Sequence, residues 1–237
     1  DKNVLKYLND ENKYTKSIMN NNEKVDNMFS EIKSYINENY ETYPYPYGEN
    51  GWDSKYRYFI RTVEGLSYPI YCRKNMITNE KEVLLDVNII AKGKMHCDIS
   101  SFKITNDHKY MSYGIDEDGN EKYKLIIQRI SDKENMIHNI PNLMYCSYFW
   151  HKDNIYYEMG NDSNRMYQIW RYNFLTKENE KIYQNDEEVV SVDLSMSNDK
   201  KYFFISASSY DSSEYYYFTE EDTNIKLFTK KMEGVLY

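Results

Sequence analysis

The chain has 237 residues, 41% of them hydrophobic, with 30 basic and 38 acidic side chains and a formal net charge of -8. That length makes one large domain or two small ones. The acidic balance excludes a basic footprint for nucleic acid or an anionic membrane, so a charged partner is expected to be cationic.

No run approaches the roughly 18 consecutive apolar residues of a membrane span, and no charged-then-apolar leader opens the sequence, so a soluble protein is expected. Tyr occurs 27 times against 9 Phe and 3 Trp, and Ala stands only at Ala91 and Ala207. A core drawn from aromatics and β-branched residues favours strands. Cys72, Cys97 and Cys146 are odd in number and lack C-x-x-C spacing, which suits reduced thiols in a cytoplasmic setting. A start at Asp1 without an initiator Met suits a piece of a longer protein.

Residues 1–45 carry a helical period. Val4, Leu5 and Leu8 share one face; after the Asn20-Asn21-Asn22 break, Val25, Met28, Phe29, Ile32 and Ile36 recur at spacings of three and four. Two amphipathic helices are expected, packed on a neighbour rather than a membrane, because their polar faces mix acids with lysines. Pro44 and Pro46 then forbid helix and extend the chain, placing a boundary near residue 45 between this helical extension and a strand-rich region over 46–237.

In that second region the period falls to two and the strands repeat. Tyr58-Phe-Ile60, Tyr110-Met-Ser112, Ile155-Tyr-Tyr157 and Tyr202-Phe-Phe204 begin 52, 45 and 47 residues apart. A polar turn follows each: Val63–Gly65, Asp116–Gly119, Gly160–Ser163 and Ser208–Asp211. Second strands come next, at Tyr68–Tyr71, Tyr123–Ile127, Tyr167–Trp170 and Tyr215–Phe218, and then third strands at Val83–Leu85, Met136-Ile137, Lys181–Tyr183 and Ile225–Phe228. Trp170 is expected to anchor its unit. Thr105–His108, His151–Asn154 and Ser197–Lys200 place turn-forming side chains just ahead of three of the aromatic strands, which gives Asp153 and Asp199 structural work. Sequential four-stranded units of about 46 residues indicate an all-β β-propeller preceded by two helices. About four units make either a small closed ring or part of a larger one, since seven would need roughly 320 residues.

Several chemistries are excluded by spacing. No two of the eight glycines are four apart, so a G-x-S-x-G elbow is absent, and none are separated by one residue, so G-x-G-x-x-G is absent too. Gly114 and Gly119 keep the P-loop interval, but Asn120-Glu121 follow where Lys and Ser or Thr are needed. The Asp116–Gly119 loop brings its glycine too early for a calcium loop. His96, His108, His138 and His151 are scattered, and Asp186–Glu188 and Glu220–Asp222 read as solvated clusters. Ser206, Ser208 and Ser209 read as strand-end hydroxyls. No catalytic, cofactor-binding or metal-binding residue is assigned.

Tyr7-Leu8, Glu11-Asn12, Tyr14-Thr15, Tyr68–Lys74, Glu82–Asp86, Ala91–Gly93, the Tyr110–Tyr123 hairpin, Tyr167–Arg171 and Ser206–Glu214 together resemble the N-terminal region of the oligopeptidase B group in the prolyl oligopeptidase family of serine peptidases. The resemblance covers essentially the whole chain. It implies about four blades of a seven-bladed propeller, set over an α/β-hydrolase domain that cleaves short peptides after Lys or Arg. In that family the Ser, Asp and His and the acids that hold the basic side chain lie mainly in the C-terminal half, outside this chain, so none carries over to a position here. The implied role of the propeller is gating, with the hydrolase domain as partner and short basic peptides as substrates. The alternative is a complete small propeller acting as a non-catalytic protein-binding module.

Overall fold

Apolar residues at spacings of three and four form α1 (Lys2–Met19) and α2 (Asn22–Ser34). The computed structural model describes residues 1–19, 22–48 and 51–237, without the side chains of 22, 136–139, 141, 142, 144 and 146. The Asn20-Asn21 break and the side chains of Met136, Ile137, His138 and Cys146 therefore lie outside the described residues. The expected packing of the helices on a neighbour is not met within this chain: Leu8, Met28, Phe29 and Ile32 are all more than half exposed.

The chain enters its first sheet before the expected boundary near 45, since β1 (Tyr40–Glu41) pairs antiparallel with β2 (Tyr56–Thr62). The prolines explain this: residues before Pro are held extended, and Tyr45, between Pro44 and Pro46, exchanges two backbone hydrogen bonds with Tyr58, at 3.0 and 2.8 Å. β3 (Ile70–Asn75) and β4 (Lys81–Asp86) complete that sheet. β3 starts later than the expected Tyr68 because Pro69 has no N–H for the ladder.

After a helical turn, α3 (Val87–Ile90), come β5 (Asp98–Ile104), β6 (Tyr110–Asp116), β7 (Lys122–Arg129), β8 (Asn135–His151), β9 (Asn154–Gly160), β10 (Met166–Asn173) and β11 (Asn179–Gln184). The last sheet is β12 (Ser191–Met196), β13 (Tyr202–Ser208), β14 (Ser213–Thr219) and β15 (Lys226–Thr229). Every pairing is antiparallel and joins strands consecutive in the chain. Among the described residues, three hydrogen-bonded sheets of four, seven and four strands result, instead of separate four-stranded units. The cause is β8, which runs 17 residues without a glycine; its first part pairs with β7 and its last part with β9, fusing two meanders.

Counting β8 in both, four meanders follow one another, and the main buried clusters lie between consecutive members. Tyr58, Leu84, Leu85 and Val87 of the first pack with Ile104, Met111, Tyr113 and Ile115 of the second. Tyr123, Leu125 and Ile127 of the second meet Tyr148, Ile155 and Tyr157 of the third. Tyr156 and Ile169 of the third meet Val192, Leu194, Phe203, Ile205 and Phe218 of the fourth. A strand covered on both faces needs apolar side chains on both, which is why Ile155-Tyr156-Tyr157 is a continuous buried run. Trp170 is only partly buried, with Nε1 donating to Gln168 Oε1 at 2.9 Å. The deeper anchors of its unit are Tyr156, Tyr157 and Ile169, all fully buried.

Candidate functional site

In an antiparallel four-strand meander the first and third turns emerge at one edge. Two first turns share one chemistry. Thr105 Oγ1 donates to Asp107 Oδ1 at 2.7 Å and accepts from Tyr110 N at 3.1 Å, while Lys109 N donates to Asp107 Oδ1 at 3.1 Å. Ser197, Asp199, Lys201 and Tyr202 repeat those bonds at 2.7, 3.0 and 3.2 Å in the last sheet. His108 (φ 59) and Lys200 (φ 61) take the left-handed position in each turn. The Ser197 hydroxyl and the Lys201 N–H hold the Asp199 carboxyl below its usual range. Asp199 therefore has the expected structural work; in the intervening turn it is the Asp153 backbone carbonyl that accepts, from Phe174 N at 2.8 Å.

These turns enclose a cleft of about 990 Å³. Its apolar wall includes Tyr110, Trp150 and Phe174, with Phe174 meeting the other two rings at steep angles, 5.0 and 5.6 Å between centroids. Five carboxylates (Asp107, Asp153, Asp199, Glu220 and Glu221) face four lysines and His151 around it. Glu220 accepts from Lys152 Nζ and lies 3.3 Å from His151 Nε2; the lysine is the main cause holding its carboxyl below the usual range. Glu220 thus joins the last sheet to the middle one, and the 220–222 cluster is more than a solvated run.

The Asp116 loop is closed on itself. Asp116 is buried, and its oxygens accept from Asp118 N, Gly119 N and Glu121 N at 2.8 to 2.9 Å. Burial opposes ionisation there, but the three N–H donors outweigh it and keep the carboxyl below its usual range. Ser209 Oγ works within its own turn, donating to Asp211 Oδ1 at 3.0 Å.

Two polar contacts, one half-buried and one buried, are not anticipated from the sequence, and both join neighbouring meanders. His108 Nε2 lies 2.8 Å from Ser54 Oγ and its Nδ1 lies 2.8 Å from Tyr58 OH. A serine–histidine pair normally needs a carboxylate behind the imidazole to act on a carbonyl, and here a tyrosine hydroxyl takes that place. Burial first, then the nearby Arg73, pushes the His108 pKa down. The second contact is Glu158, 1% exposed, whose Oε1 accepts from Leu194 N at 2.7 Å. Burial pushes its carboxyl up to about 8. A signal for Glu158 was present: it is the one acid in the aromatic run 155–159. Nothing in the sequence brings Ser54 to His108.

With the geometry in place, similarity to known proteins identifies the chain. The family model for the N-terminal β-propeller domain of prolyl oligopeptidase matches residues 1–237. The chain belongs to the prolyl oligopeptidase family. It is 24% identical to Protease 2 of Moraxella lacunata over 99% of its own length and 35% of that protein's. Its fold superposes on oligopeptidase B of Leishmania major with a TM-score of 0.83 and 26% identity, covering all of this chain and 34% of that one. The closed, antipain-bound oligopeptidase B of Trypanosoma brucei gives a TM-score of 0.78 at 23% identity, covering 99% and 34%. The chain thus spans about a third of the length of these relatives and corresponds to the N-terminal propeller region of an oligopeptidase B-like protein.

Proposed function

We propose that this chain is the substrate-gating part of an oligopeptidase B-like serine peptidase that cleaves short peptides after Lys or Arg in the cytoplasm. The observation that carries the reading is the match to oligopeptidase B over the full chain, helices included. In this reading each meander is one blade of a seven-bladed ring, and the catalytic residues belong to an α/β-hydrolase domain beyond residues 1–237. The exposed apolar faces of α1 and α2, with Leu8, Met28, Phe29 and Ile32 uncovered, suit docking onto that domain.

The chain's own contribution is steric. A ring with a narrow opening over a buried nucleophile admits flexible peptides and turns folded proteins away, a gating role like that of other moving covers. The net charge of -8 draws basic peptides toward the entrance, over a range that screening limits to roughly 8–10 Å.

The test uses the whole protein. It is expected to cleave short peptides carrying Lys or Arg before the scissile bond, to spare the same sequence held in a folded domain, and to take a fluorophosphonate label at a serine outside residues 1–237. Equal cleavage of the folded substrate would end the gating reading. Indifference to the basic side chain would end the specificity.

A further inference from the structure

Strand β9 serves two neighbours. Ile155 and Tyr157 face the second meander, while Tyr156 faces the fourth, and Glu158 follows Tyr156 on the same side. One oxygen of Glu158 is accounted for by Leu194 N. The other, Oε2, is buried and meets no hydrogen-bond donor among the described residues. An ionised oxygen so placed is strongly unfavourable, and native interiors seldom leave one.

Among the described residues, none of the groups that interact with it is a cation. From β12 the group that interacts with Glu158 is another carboxylate, Asp193. From β8 it is the hydroxyl of Ser147, which favours the ionised form but is outweighed by burial, and across β10 the register partner is apolar Ile169. Two carboxyl groups in contact are both satisfied when one of them carries a proton, because the protonated one becomes a donor and the other remains an acceptor. The orphan oxygen then has a partner.

We propose that Glu158 is held protonated and donates through Oε2 to the Asp193 carboxylate, so that one shared proton, together with the Leu194 bond, ties the third meander to the fourth. The tie is pH-sensitive. Burial and Asp193 both raise the Glu158 pKa above the ordinary 4.5, so the folded chain holds a proton that the unfolded chain releases. Its contribution to stability is complete below 4.5 and is lost as pH rises through the raised value. Alkaline conditions leave two like charges at this seam, one of them buried. The inference does not depend on the peptidase reading, because stability reads it out and turnover does not.

The experiment is urea unfolding of the whole protein from pH 5 to 9 as wild type, Glu158→Gln and Asp193→Asn. The Glu158→Gln side chain keeps the shape, and its amide can accept from Leu194 N while donating to Asp193. Relative to that variant, the folded-to-unfolded ratio of the wild type should fall by up to about tenfold per pH unit as pH rises through the window. An infrared acid-carbonyl band at pH 7 should be present in the wild type and missing from Glu158→Gln. Parallel pH profiles, or no such band, would overturn the proposal; so would calcium chloride restoring the stability lost at pH 9, which would make the notch a cation site. Should Glu158→Gln fail to fold, Asp193→Asn carries the test, since its amide can donate to an ionised Glu158: the acid band should weaken, and an unchanged band overturns the shared proton.

Discussion

The first seam between meanders and the third solve the same packing problem with different side chains. The first joins Leu84, Leu85 and Val87 to Met111 and Ile115, and its edge is held by hydrogen bonds: Ser54 to His108, His108 to Tyr58, and Arg73 to the His108 carbonyl at 3.3 Å. The third is aromatic, with Phe203 stacked on Tyr156 at 4.6 Å and on Phe218 at 4.8 Å. Each seam also holds one titratable group whose neutral form is favoured, the half-buried His108 and the buried Glu158, and the two are shifted in opposite directions. His108 has its pKa lowered and Glu158 has its pKa raised. The first seam is therefore weakened by acid and the third by alkali. Stacked sheets can be welded by apolar area while their polar contacts set the pH range over which the weld holds.

The largest effect should come from the aromatic weld. Phe203 is fully buried and touches both neighbouring rings, so Phe203→Ala is expected to cost about 3–5 kcal/mol by urea unfolding. Trp170→Ala should cost clearly less, about 1–2 kcal/mol, because the indole is only partly buried. Equal costs would mean that the stack is not what holds the third seam.

The polar seam breaks more gently. Ser54→Ala leaves His108 Nε2 without its hydroxyl partner, at an expected cost of about 1–2 kcal/mol. Its pH response follows from the direction of the shift. The His108 pKa in the folded chain lies below the ordinary 6.5, so its contribution is complete above 6.5 and is lost as pH falls through the lowered value. Stability should decline by at most about 1.4 kcal/mol per pH unit in that window. Tyr58, Ser54, Tyr56, Arg73 and Asp107 are the polar and charged groups around the ring. His108→Gln, with an amide that can still bond in both directions, should flatten the acid limb while leaving the alkaline limb due to Glu158 in place. A wild-type acid limb unchanged in His108→Gln would assign it elsewhere.

The meanders are legible in the sequence because their period is written twice, once in the aromatic strands and once in the turns. Tyr58, Tyr110, Ile155 and Tyr202 all fall in the second strands of their meanders. A second repeat is also written in the sequence, as Asn75-x-x-Thr78-x-Glu80 and Asn173-x-x-Thr176-x-Glu178, and the structure shows what it does: both form the same turn, with Thr78 N and Thr176 N each bonded to the asparagine Oδ1. The fusion through β8 is not legible, since connectors of this length usually turn, and only pairing to β7 and β9 reveals that this one stays extended. The seam contacts are hidden for a similar reason. His108 and Ser54 are 54 residues apart, and no local pattern encodes a meeting of that range.

The smallest predicted effect tests whether the repeated first turns are equivalent parts. Thr105 and Ser197 occupy the same place: each hydroxyl donates to an aspartate two residues on and accepts from a backbone N–H five residues on. Replacing either with Ala removes both bonds and leaves a partly exposed N–H that water can reach, which limits each loss to about 1 kcal/mol. The Thr105 turn carries His108 into the polar seam, whereas the Ser197 turn carries Lys200 at the corresponding left-handed position. If the turn only closes its hairpin, Thr105→Ala and Ser197→Ala should cost the same, and both should leave the acid limb of the stability profile intact. If the turn also positions the imidazole, Thr105→Ala alone should cost more and should shift that limb. Comparison of the two urea midpoints at pH 7 and at pH 5.5 separates these outcomes.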